Sequence, residues 1–540
     1  MYYAHTPNQA GEWHQLTDHL HRTAELAREF ASSFGAGELA YYVGLWHDLG
    51  KFNPEFQAYL ETCYYRPDEP RSRVDHKAAG SQLARDWLGP CALLIQGHHG
   101  GLGALASFDG WLREMAGDAA ADALARARAM ILDLEPEARL ELLPALTATP
   151  LVAEFALRML FSALVDADYL DTEQHFDSER TEQRRGENIL TPAHRQAFEQ
   201  NQNALPAQGS STLAQARADI YKACLEAAKL PPGFFRLTVP TGGGKTRSGL
   251  AFALRHALKH DLRRVIVAVP FTTVTEQTAR VYRSIFGGLA APTVLEHHSQ
   301  VEGYEEGSDW VRLAAENWDA PLIVTTTVQL FESLFACTPS RCRKLHRLAR
   351  SVIILDEAQA LPIHLLEPIL DGLRQLVQNY GATVVFSTAT QPAFDTIPVF
   401  ANLAAREIVP EPRRYFTLLR RVEYDWQLDR AQSWIEVART MRQERQILTI
   451  VNTRRHAQEL LDQLADDAGV LHLSTMLCAA HRRVVVAEVR RRLAAGETCR
   501  LVSTQVVEAG VDLDFPFVMR SIAPLDTSSK RRVAATVRVG

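Results

Sequence analysis

Apolar residues in the first 180 positions recur three and four residues apart, which is the spacing of amphipathic helices. Runs of β-branched residues are few in this part of the chain. The helical pattern is clearest over 16–30, 39–46, 78–88 and 152–169, and the alanine-rich stretch 113–146 continues it. The pattern therefore predicts an all-α domain over residues 1–180.

The pattern changes after a polar stretch, residues 181–212, which we interpret as a linker. From there on, short β-branched runs alternate with helical stretches or polar loops, as in parallel α/β layers. These runs are 265–269, 322–324, 352–355, 383–386, 447–451 and 500–503. A Pro/Arg-rich break at 409–414 divides the region, so we expect one α/β domain over 213–408 and a second over 415–540.

Composition adds limits on location and partners. The chain has 540 residues and seven cysteines without a CxxC pair, which favours reduced thiols in a cytoplasmic protein. No apolar stretch is long enough for a membrane span, and the polar N-terminus lacks the features of a secretion signal. The net charge of −6 excludes a generally basic nucleic-acid coat, so binding of DNA or RNA would require a local groove.

Histidines and aspartates are concentrated in the helical part of the chain. Imidazole and carboxylate groups suit Mn, Fe, Co, Ni or Zn, and two such ions together can activate water and stabilise the leaving oxygen of a phosphodiester. Any one of these histidines could instead be an ordinary core or surface residue, but the adjacent His–Asp and His–His pairs favour metal binding. The candidate ligands are His19, His47, Asp48, His76, His98, His99, Asp166 and Asp168.

The segment RLTVPTGGGKT follows a predicted strand and precedes a helix, as a phosphate-binding loop does. Its glycines let backbone N–H groups surround phosphate oxygens, its lysine neutralises the β- and γ-phosphates, and its last threonine can hold Mg²⁺. Val239 replaces the first glycine of the strict pattern. The candidate ATP-binding residues are Thr241, Gly242, Gly243, Gly244, Lys245 and Thr246.

An acidic pair ends a later apolar strand, SVIILDEAQ. Asp356 can bind Mg²⁺ and Glu357 can polarise the attacking water, so together with the loop they predict an NTPase. Threonine-rich segments around this pair offer side chains suited to holding a single-strand backbone: Thr272, Thr273, Gln277, Thr325, Thr326 and Thr327. A further segment, FSTATQP, contains Ser387, Thr388 and Thr390 and resembles the helicase motif that couples hydrolysis to strand movement.

The order H…HD…H…HH…D resembles the HD phosphohydrolase superfamily, and more narrowly the HD domain of the CRISPR-associated helicase–nucleases of type I systems. This resemblance implies metal binding by the candidate histidines and Asp48, favours Asp168 over Asp166 as the last ligand, and gives Lys51 a role at the phosphate. PTGGGKT, DEAQ and FSTATQP resemble motifs of superfamily-2 helicases, which implies RecA-like domains. VEAGVDLDFP resembles a later motif, in which Glu508, Gly510 and Asp512 would face the nucleotide cleft.

The resemblance covers roughly residues 14–526 and is lost after APLD. Family members continue with a Gln-rich, Gly-Arg segment whose arginine reaches the γ-phosphate. Here Arg531, Arg532 and Arg538 are out of register, so none receives that role. We therefore expect a frameshift or a truncated reading frame, an incomplete second RecA-like domain and an impaired ATPase.

The resemblance implies an enzyme that pulls single-stranded DNA, 3′ to 5′, into a metal-dependent nuclease site with ATP and Mg²⁺. Its expected partner is an RNA-guided, multi-subunit CRISPR surveillance complex that opens invader DNA. Two other functions remain open at the level of sequence. One is an HD nucleotide phosphohydrolase fused to a helicase, and the other is a non-cleaving, ATP-dependent nucleic-acid binding module.

Overall fold

The computed structural model describes the chain except residues 71, 73, 185–187, 206–210, 300–308, 402, 421, 428–430, 509–512, 523–534 and 540. The side chains of residues 422, 424, 479, 508 and 535–539 are also outside this description. Within the described residues, no helix is both long enough and apolar enough to cross a membrane.

The N-terminal part is helical, as its hydrophobic pattern predicts. A short antiparallel pair of strands opens it, β1 (Tyr3–His5) and β2 (His14–Gln15). The helices that follow are α1 (Leu16–Ser32), α2 (Gly37–Trp46), α3 (Pro54–Tyr65), α4 (Ala78–Leu88), α5 (Ala92–Gly97), α6 (Leu105–Met115), α7 (Asp118–Met130), α8 (Pro150–Phe176) and α9 (Ser178–Gln183). One apolar core joins α1, α2 and α4 through α8, with Trp46 and Phe161 fully buried in it.

Two glycines let the helices of this core approach closely where α2 ends. A Cβ atom added to Gly44 would lie 2.8 Å from the Ala24 Cα of α1. A Cβ atom added to Gly80 of α4 would lie 1.8 Å from the Trp46 carbonyl oxygen. Both positions require a residue without a side chain. Gly44 packs α2 on α1 three residues before His47, and Gly80 packs α4 on Trp46, the residue before His47.

The predicted linker 181–212 contains a packed helix, which corrects that interpretation. Helix α10 (Pro192–Asn203) lies within it, and α11 (Thr212–Ala227) begins at its end. Phe198 of α10 is 1% exposed and packs into the core of the first α/β domain, with Leu190 nearby. The segment is polar because only one face of α10 is buried. Its few apolar residues are too widely spaced to show the periodicity of a helix in the sequence.

The first α/β domain is built on a parallel sheet with the strand order β5-β6-β4-β7-β8-β3-β9. Helices pack on both faces of this sheet and cover its buried Val, Ile and Leu side chains. The elements are β3 (Phe234–Thr238), α12 (Lys245–Lys259), β4 (Arg264–Val269), α13 (Thr272–Phe286), β5 (Val294–His297), α14 (Asp309–Asn317), β6 (Leu322–Thr326), α15 (Thr327–Leu334), α16 (Pro339–Cys342), β7 (Ser351–Asp356), α17 (Leu366–Asn379), β8 (Thr383–Thr388) and β9 (Arg406–Glu407).

The second α/β domain has the strand order β10-β15-β14-β11-β13-β12. Strands β11, β12, β13 and β14 run parallel to one another, whereas β15 pairs antiparallel with both β14 and β10. The elements are α18 (Pro412–Leu418), β10 (Val422–Trp426), α19 (Trp434–Gln443), β11 (Gln446–Ile450), α20 (Arg454–Gln463), β12 (Val470–Leu473), α21 (Ala479–Ala494), β13 (Cys499–Ser503), β14 (Phe517–Arg520) and β15 (Ala535–Val539).

The helical domain packs directly on the segment of the first α/β domain between β6 and β7. Ser162 Oγ donates a hydrogen bond to the Cys342 carbonyl oxygen at 2.5 Å. The backbone N–H of Leu102 donates to the Cys337 carbonyl oxygen at 2.9 Å. Leu102 follows His98 and His99 by only a few residues, so the α/β domain contacts the loop that carries this histidine pair.

Candidate nuclease and nucleotide sites

The candidate ligands of the helical domain meet at the ends of several helices. His19 lies on α1, His47 and Asp48 directly follow α2, and Asp168 lies on α8. His76 precedes α4, and His98 and His99 follow α5. Most of these side chains are buried, while His99 is exposed and gives the cluster a side open to solvent.

Asp48 lies at the centre of this cluster, and each of its oxygens faces a different set of histidines. Oδ2 lies 3.4 Å from His19 Nε2 and 3.3 Å from His47 Nε2. Oδ1 lies 3.3 Å from His98 Nε2 and 3.7 Å from His76 Nε2. The carboxylate therefore links two groups that could each hold a cation: His19, His47 and Asp168 on one side, and His76, His98 and His99 on the other.

Several buried polar atoms at the centre have no hydrogen-bond partner. They are Asp48 Oδ1, His98 Nε2 and both ring nitrogens of His76. Buried polar atoms in folded proteins are almost always paired, so a group of unpaired acceptors needs an explanation. A divalent cation accepts electron pairs from such nitrogens and oxygens, and the donor set of imidazoles and a carboxylate fits the transition metals.

Burial also keeps part of the cluster in the form that binds metals. Burial lowers the pKa of His98 to about 3 and the pKa of His76 to about 4. Both imidazoles are therefore neutral at pH 7, which leaves a nitrogen lone pair to coordinate. His47 differs: burial opposes its charge, but the carboxylates of Asp48 and Asp168 outweigh burial and raise its pKa to about 10.

Backbone carbonyls fix the orientation of two of the rings. His47 Nδ1 donates to the Gly44 carbonyl oxygen at 2.6 Å, and His98 Nδ1 donates to the Ile95 carbonyl oxygen at 2.6 Å. Each bond assigns the proton to Nδ1 and leaves Nε2 directed at Asp48.

Asp166 does not join the cluster, which corrects its inclusion among the candidate ligands. Successive residues of a helix are rotated by about 100°, so Asp166 and Asp168 point to nearly opposite faces of α8. Asp166 accepts a hydrogen bond from Arg343 Nε at 2.8 Å and another from Asn317 Nδ2 at 3.1 Å. It is a fully buried part of the contact with the first α/β domain.

Lys51 is also placed differently from its predicted role at a substrate phosphate. Its Nζ lies 2.6 Å from Asp48 Oδ2 and donates to the Ala4 carbonyl oxygen at 3.0 Å. The residue is only 3% exposed. Lys51 thus neutralises and orients Asp48 from inside the protein. The side of the cluster that is open to solvent is formed by His99 and not by Lys51.

The predicted phosphate-binding loop lies between β3 and α12. Gly242 and Gly244 adopt φ angles of 84° and 87°, a region that favours glycine. Lys245 begins α12, and its Nζ is buried without a hydrogen-bond partner, 3.6 Å from Glu357 Oε1. An ammonium that lacks a hydrogen-bond partner, beside backbone N–H groups at a helix N-terminus, is suited to a phosphate.

The acidic pair at the end of β7 is bonded to the strand beside it. Ser387 Oγ donates to Asp356 Oδ1 at 2.8 Å, and the Glu357 N–H donates to the Ser387 carbonyl oxygen at 2.7 Å. Thr388 Oγ1 donates to the Gln359 side chain. Thr390 N–H in turn donates to Thr388 Oγ1 at 3.1 Å, so the DEAQ and FSTAT segments form one network.

Glu357 sits in a strained conformation, and Asp356 is half-buried beside it. Glu357 has a φ angle of 54°, which is costly for a residue with a side chain and is typical of functional sites. Burial raises the pKa of the Asp356 carboxyl above its ordinary value, and the nearby Lys245 ammonium offsets part of that rise. A cation bound here would relieve the cost of a buried carboxylate.

The structure separates the threonines predicted to hold DNA into two classes. Thr325 Oγ1 donates to the His297 carbonyl oxygen at 2.7 Å, and Thr326 Oγ1 accepts from the Gln329 N–H that caps α15. Both are buried, so their hydroxyls serve the fold rather than a strand backbone. Thr327 is half-buried, Thr272 and Thr273 begin α13, and Gln277 is exposed on that helix.

Gly510 and Asp512 lie outside the described residues, as do Arg531 and Arg532. Glu508 ends a short 3₁₀ turn after β13, with its side chain outside the description, and Arg538 lies in β15 with the same restriction. The predicted role of Glu508, Gly510 and Asp512 in the nucleotide cleft stays a prediction.

Three families match successive parts of the chain. Residues 4–165 match the Cas3 HD domain, and residues 215–397 match the DEAD/DEAH box helicases. Residues 443–532 match the C-terminal region of the CRISPR-associated nuclease/helicase Cas3. The chain belongs to the Cas3 family of HD-domain helicases.

Individual relatives agree with this family. A Cas3 nuclease/helicase of Haloferax volcanii is 28% identical over 56% of this chain and 44% of its own length. One from Methanothermobacter thermautotrophicus is 24% identical over 55% of this chain and 37% of its own length. The chain thus spans less than half the length of these curated relatives.

Solved structures show the same architecture. T. fusca Cas3–AMPPNP superposes with a TM-score of 0.69 at 17% identity, covering 97% of this chain and 71% of that one. A chain from a CRISPR RNA-guided surveillance complex in a pre-nicking state gives a TM-score of 0.61 at 18% identity, covering 99% of this chain and 71% of that one. The predicted fold class, an all-α HD domain followed by RecA-like α/β domains, is confirmed.

Proposed function

We propose that this member of the Cas3 family is a metal-dependent DNA nuclease joined to an ATP-driven translocase of single-stranded DNA. Residues 1–180 would form the nuclease domain, and residues 213–408 and 415–540 the two motor domains. The observation that carries the proposal is the placement of Asp48, whose two oxygens face two separate sets of histidines. Such an arrangement suits a pair of divalent cations better than a single one.

Two divalent transition-metal ions would be held by His19, His47, Asp48 and Asp168 on one side and by Asp48, His76, His98 and His99 on the other. When bound, such a pair supplies an activated water and stabilises the leaving oxygen of a phosphodiester. The protein contributes fixed orientation: His47 and His98 are held by backbone carbonyls, and Lys51 holds Asp48. The exposed His99 marks the side from which a DNA strand would approach.

In the motor, Lys245 and the glycine-rich loop would bind the phosphates of ATP, and Asp356 would hold Mg²⁺. Glu357 would orient the attacking water, which is supported by the position of its carboxylate near Lys245 at the end of β7. Ser387 and Thr388 bond to Asp356 and Gln359, so a change at the nucleotide would reach the FSTAT segment through direct hydrogen bonds. That segment would transmit hydrolysis to movement of the strand.

We further infer that the substrate is the strand displaced by an RNA-guided CRISPR complex, drawn 3′ to 5′ toward the HD cluster and degraded as invader DNA. Support for this partner comes from the likeness to a chain found in a CRISPR surveillance complex. Support for a strand-length substrate comes from the direct contact between the α/β domain and the loop after His98 and His99, which joins motor and nuclease.

The experiment is cleavage of circular single-stranded DNA by the purified chain with Mn²⁺, Co²⁺ or Ni²⁺, with and without ATP. Asp48→Ala removes the central carboxylate, and Lys245→Ala serves as the matched control because it lies in the motor. We expect metal-dependent cleavage that Asp48→Ala abolishes and Lys245→Ala retains. Hydrolysis of free nucleotides without cleavage of DNA would overturn the proposal in favour of a phosphohydrolase.

A further inference from the structure

A second buried aspartate of α8, Asp171, contacts a metal-facing histidine. Asp171 Oδ2 lies 2.6 Å from His19 Nδ1, and the carboxylate is 1% exposed. Asp171 follows Asp168 by three residues, which places both on the same face of the helix. One face of α8 therefore carries both the candidate ligand Asp168 and Asp171, the partner of the candidate ligand His19.

The position of Asp171 is itself fixed by two further contacts. Arg22 Nε lies 3.1 Å from Asp171 Oδ1, and His14 Nε2 lies 3.4 Å from Asp171 Oδ2. Arg22 follows His19 by three residues on α1, so these two residues contact Asp171 from the same face of α1. Because the carboxylate is held from both sides, it can hold the imidazole of His19 in one orientation.

His19 is treated differently from the other oriented histidines of the cluster. His47 and His98 donate their Nδ1 protons to neutral backbone carbonyls, whereas His19 donates its proton to a carboxylate. A carboxylate partner fixes the tautomer and also increases the electron density at the opposite nitrogen. That nitrogen, Nε2, lies 3.4 Å from Asp48 and 3.7 Å from Asp168.

We propose that Asp171 is a positioning residue that orients His19 and strengthens cation binding by the group His19, His47 and Asp168. The inference rests on the proposed metal-dependent nuclease function. Removing such a partner of a metal-ligating histidine typically weakens metal binding by about 10- to 100-fold.

The test is a calorimetric titration of the full chain with Mn²⁺, which measures the Mn²⁺ affinity of wild type, Asp171→Asn and Asp171→Ala. Asp171→Asn keeps an acceptor for His19 but removes the charge, so we expect about tenfold weaker binding. Asp171→Ala removes both, and we expect a loss toward about 100-fold. Asp166→Asn is the matched control, because it neutralises a buried carboxylate on the opposite face of α8 and should leave the Mn²⁺ affinity unchanged.

Two further readouts separate positioning from a general loss of structure. ATP hydrolysis should be unchanged in Asp171→Asn, which shows that the chain is folded. Cleavage of single-stranded DNA by this variant should recover when Mn²⁺ is raised, because only the affinity is reduced. Mn²⁺ affinities equal to wild type in both Asp171 variants would overturn the inference while leaving the proposed nuclease intact. A wild-type chain that binds no Mn²⁺ would overturn both.

Discussion

Neutralising Asp166 should weaken the contact between the helical domain and the first α/β domain without affecting metal binding. The Asp166 side chain is fully buried, and the Arg343 side chain that pairs with it is 6% exposed. Breaking a buried pair by removing one partner typically costs about 3–5 kcal/mol, because the remaining charge stays buried. Glu316 lies 3.3 Å from Arg343 Nη1 and compensates part of the remaining charge. Asp166→Asn should therefore lower the free energy of unfolding by about 3 kcal/mol, the lower end of that range.

The assay is urea unfolding of the full chain, followed by tryptophan fluorescence, with the first transition compared between variants. Glu154→Gln is the control. Glu154 pairs with Arg158 on the same helix but is 55% exposed, so we expect the free energy of unfolding to change by less than about 1 kcal/mol. The Mn²⁺ affinity of Asp166→Asn should equal that of wild type. Unchanged stability together with lost Mn²⁺ binding would instead make Asp166 a metal ligand and exclude its role in the interdomain contact.

Two further predictions concern the motor and the metal-free cluster. Ser387→Ala removes the hydrogen bond to Asp356. Because hydrogen bonds to charged groups contribute about 1.5–3 kcal/mol, we expect the rate of ATP hydrolysis to fall at least about tenfold while DNA cleavage persists. An unchanged rate of ATP hydrolysis would contradict the role of Ser387. The folded-state pKa of His47 is raised to about 10, so its stabilising charge is fully present below its unfolded value near 6.5 and is lost as the pH rises toward 10. Metal-free wild type should therefore lose more stability from pH 7 to 10 than His47→Asn, and parallel profiles would contradict this prediction.

The parallel strands could be predicted because their buried β-branched runs stand out from polar surroundings. Five of the six predicted runs lie within strands β4, β6, β7, β8 and β13, and the run 447–451 extends one residue past the end of β11. Helix α10 was missed because only isolated residues such as Phe198 face the core, and its stability comes from packing on the neighbouring domain.

Most of the candidate site was also accessible from sequence, because unusual residue types recur in a known order. Asp166 and Asp168 are the same residue type, and only the family resemblance favoured Asp168; the rotation of α8 explains why Asp166 joins the interdomain contact instead of the cluster. Asp171 was missed although it lies one turn beyond Asp168, since its role depends on the approach of α1. Thr325 and Thr326 were assigned to DNA because hydroxyls that cap helices and hydroxyls that bind a strand look alike in sequence.

Counting the bound cations shows whether Asp48 joins two cation-binding groups. The measurement is the number of Mn²⁺ ions bound per chain, by equilibrium dialysis and metal analysis, for wild type and Asp48→Ala. We expect two ions per wild-type chain and loss of tight binding in Asp48→Ala, because the shared carboxylate is gone. A wild-type chain that binds no Mn²⁺ at the cluster, or an Asp48→Ala variant that binds two ions as tightly as wild type, would contradict this expectation.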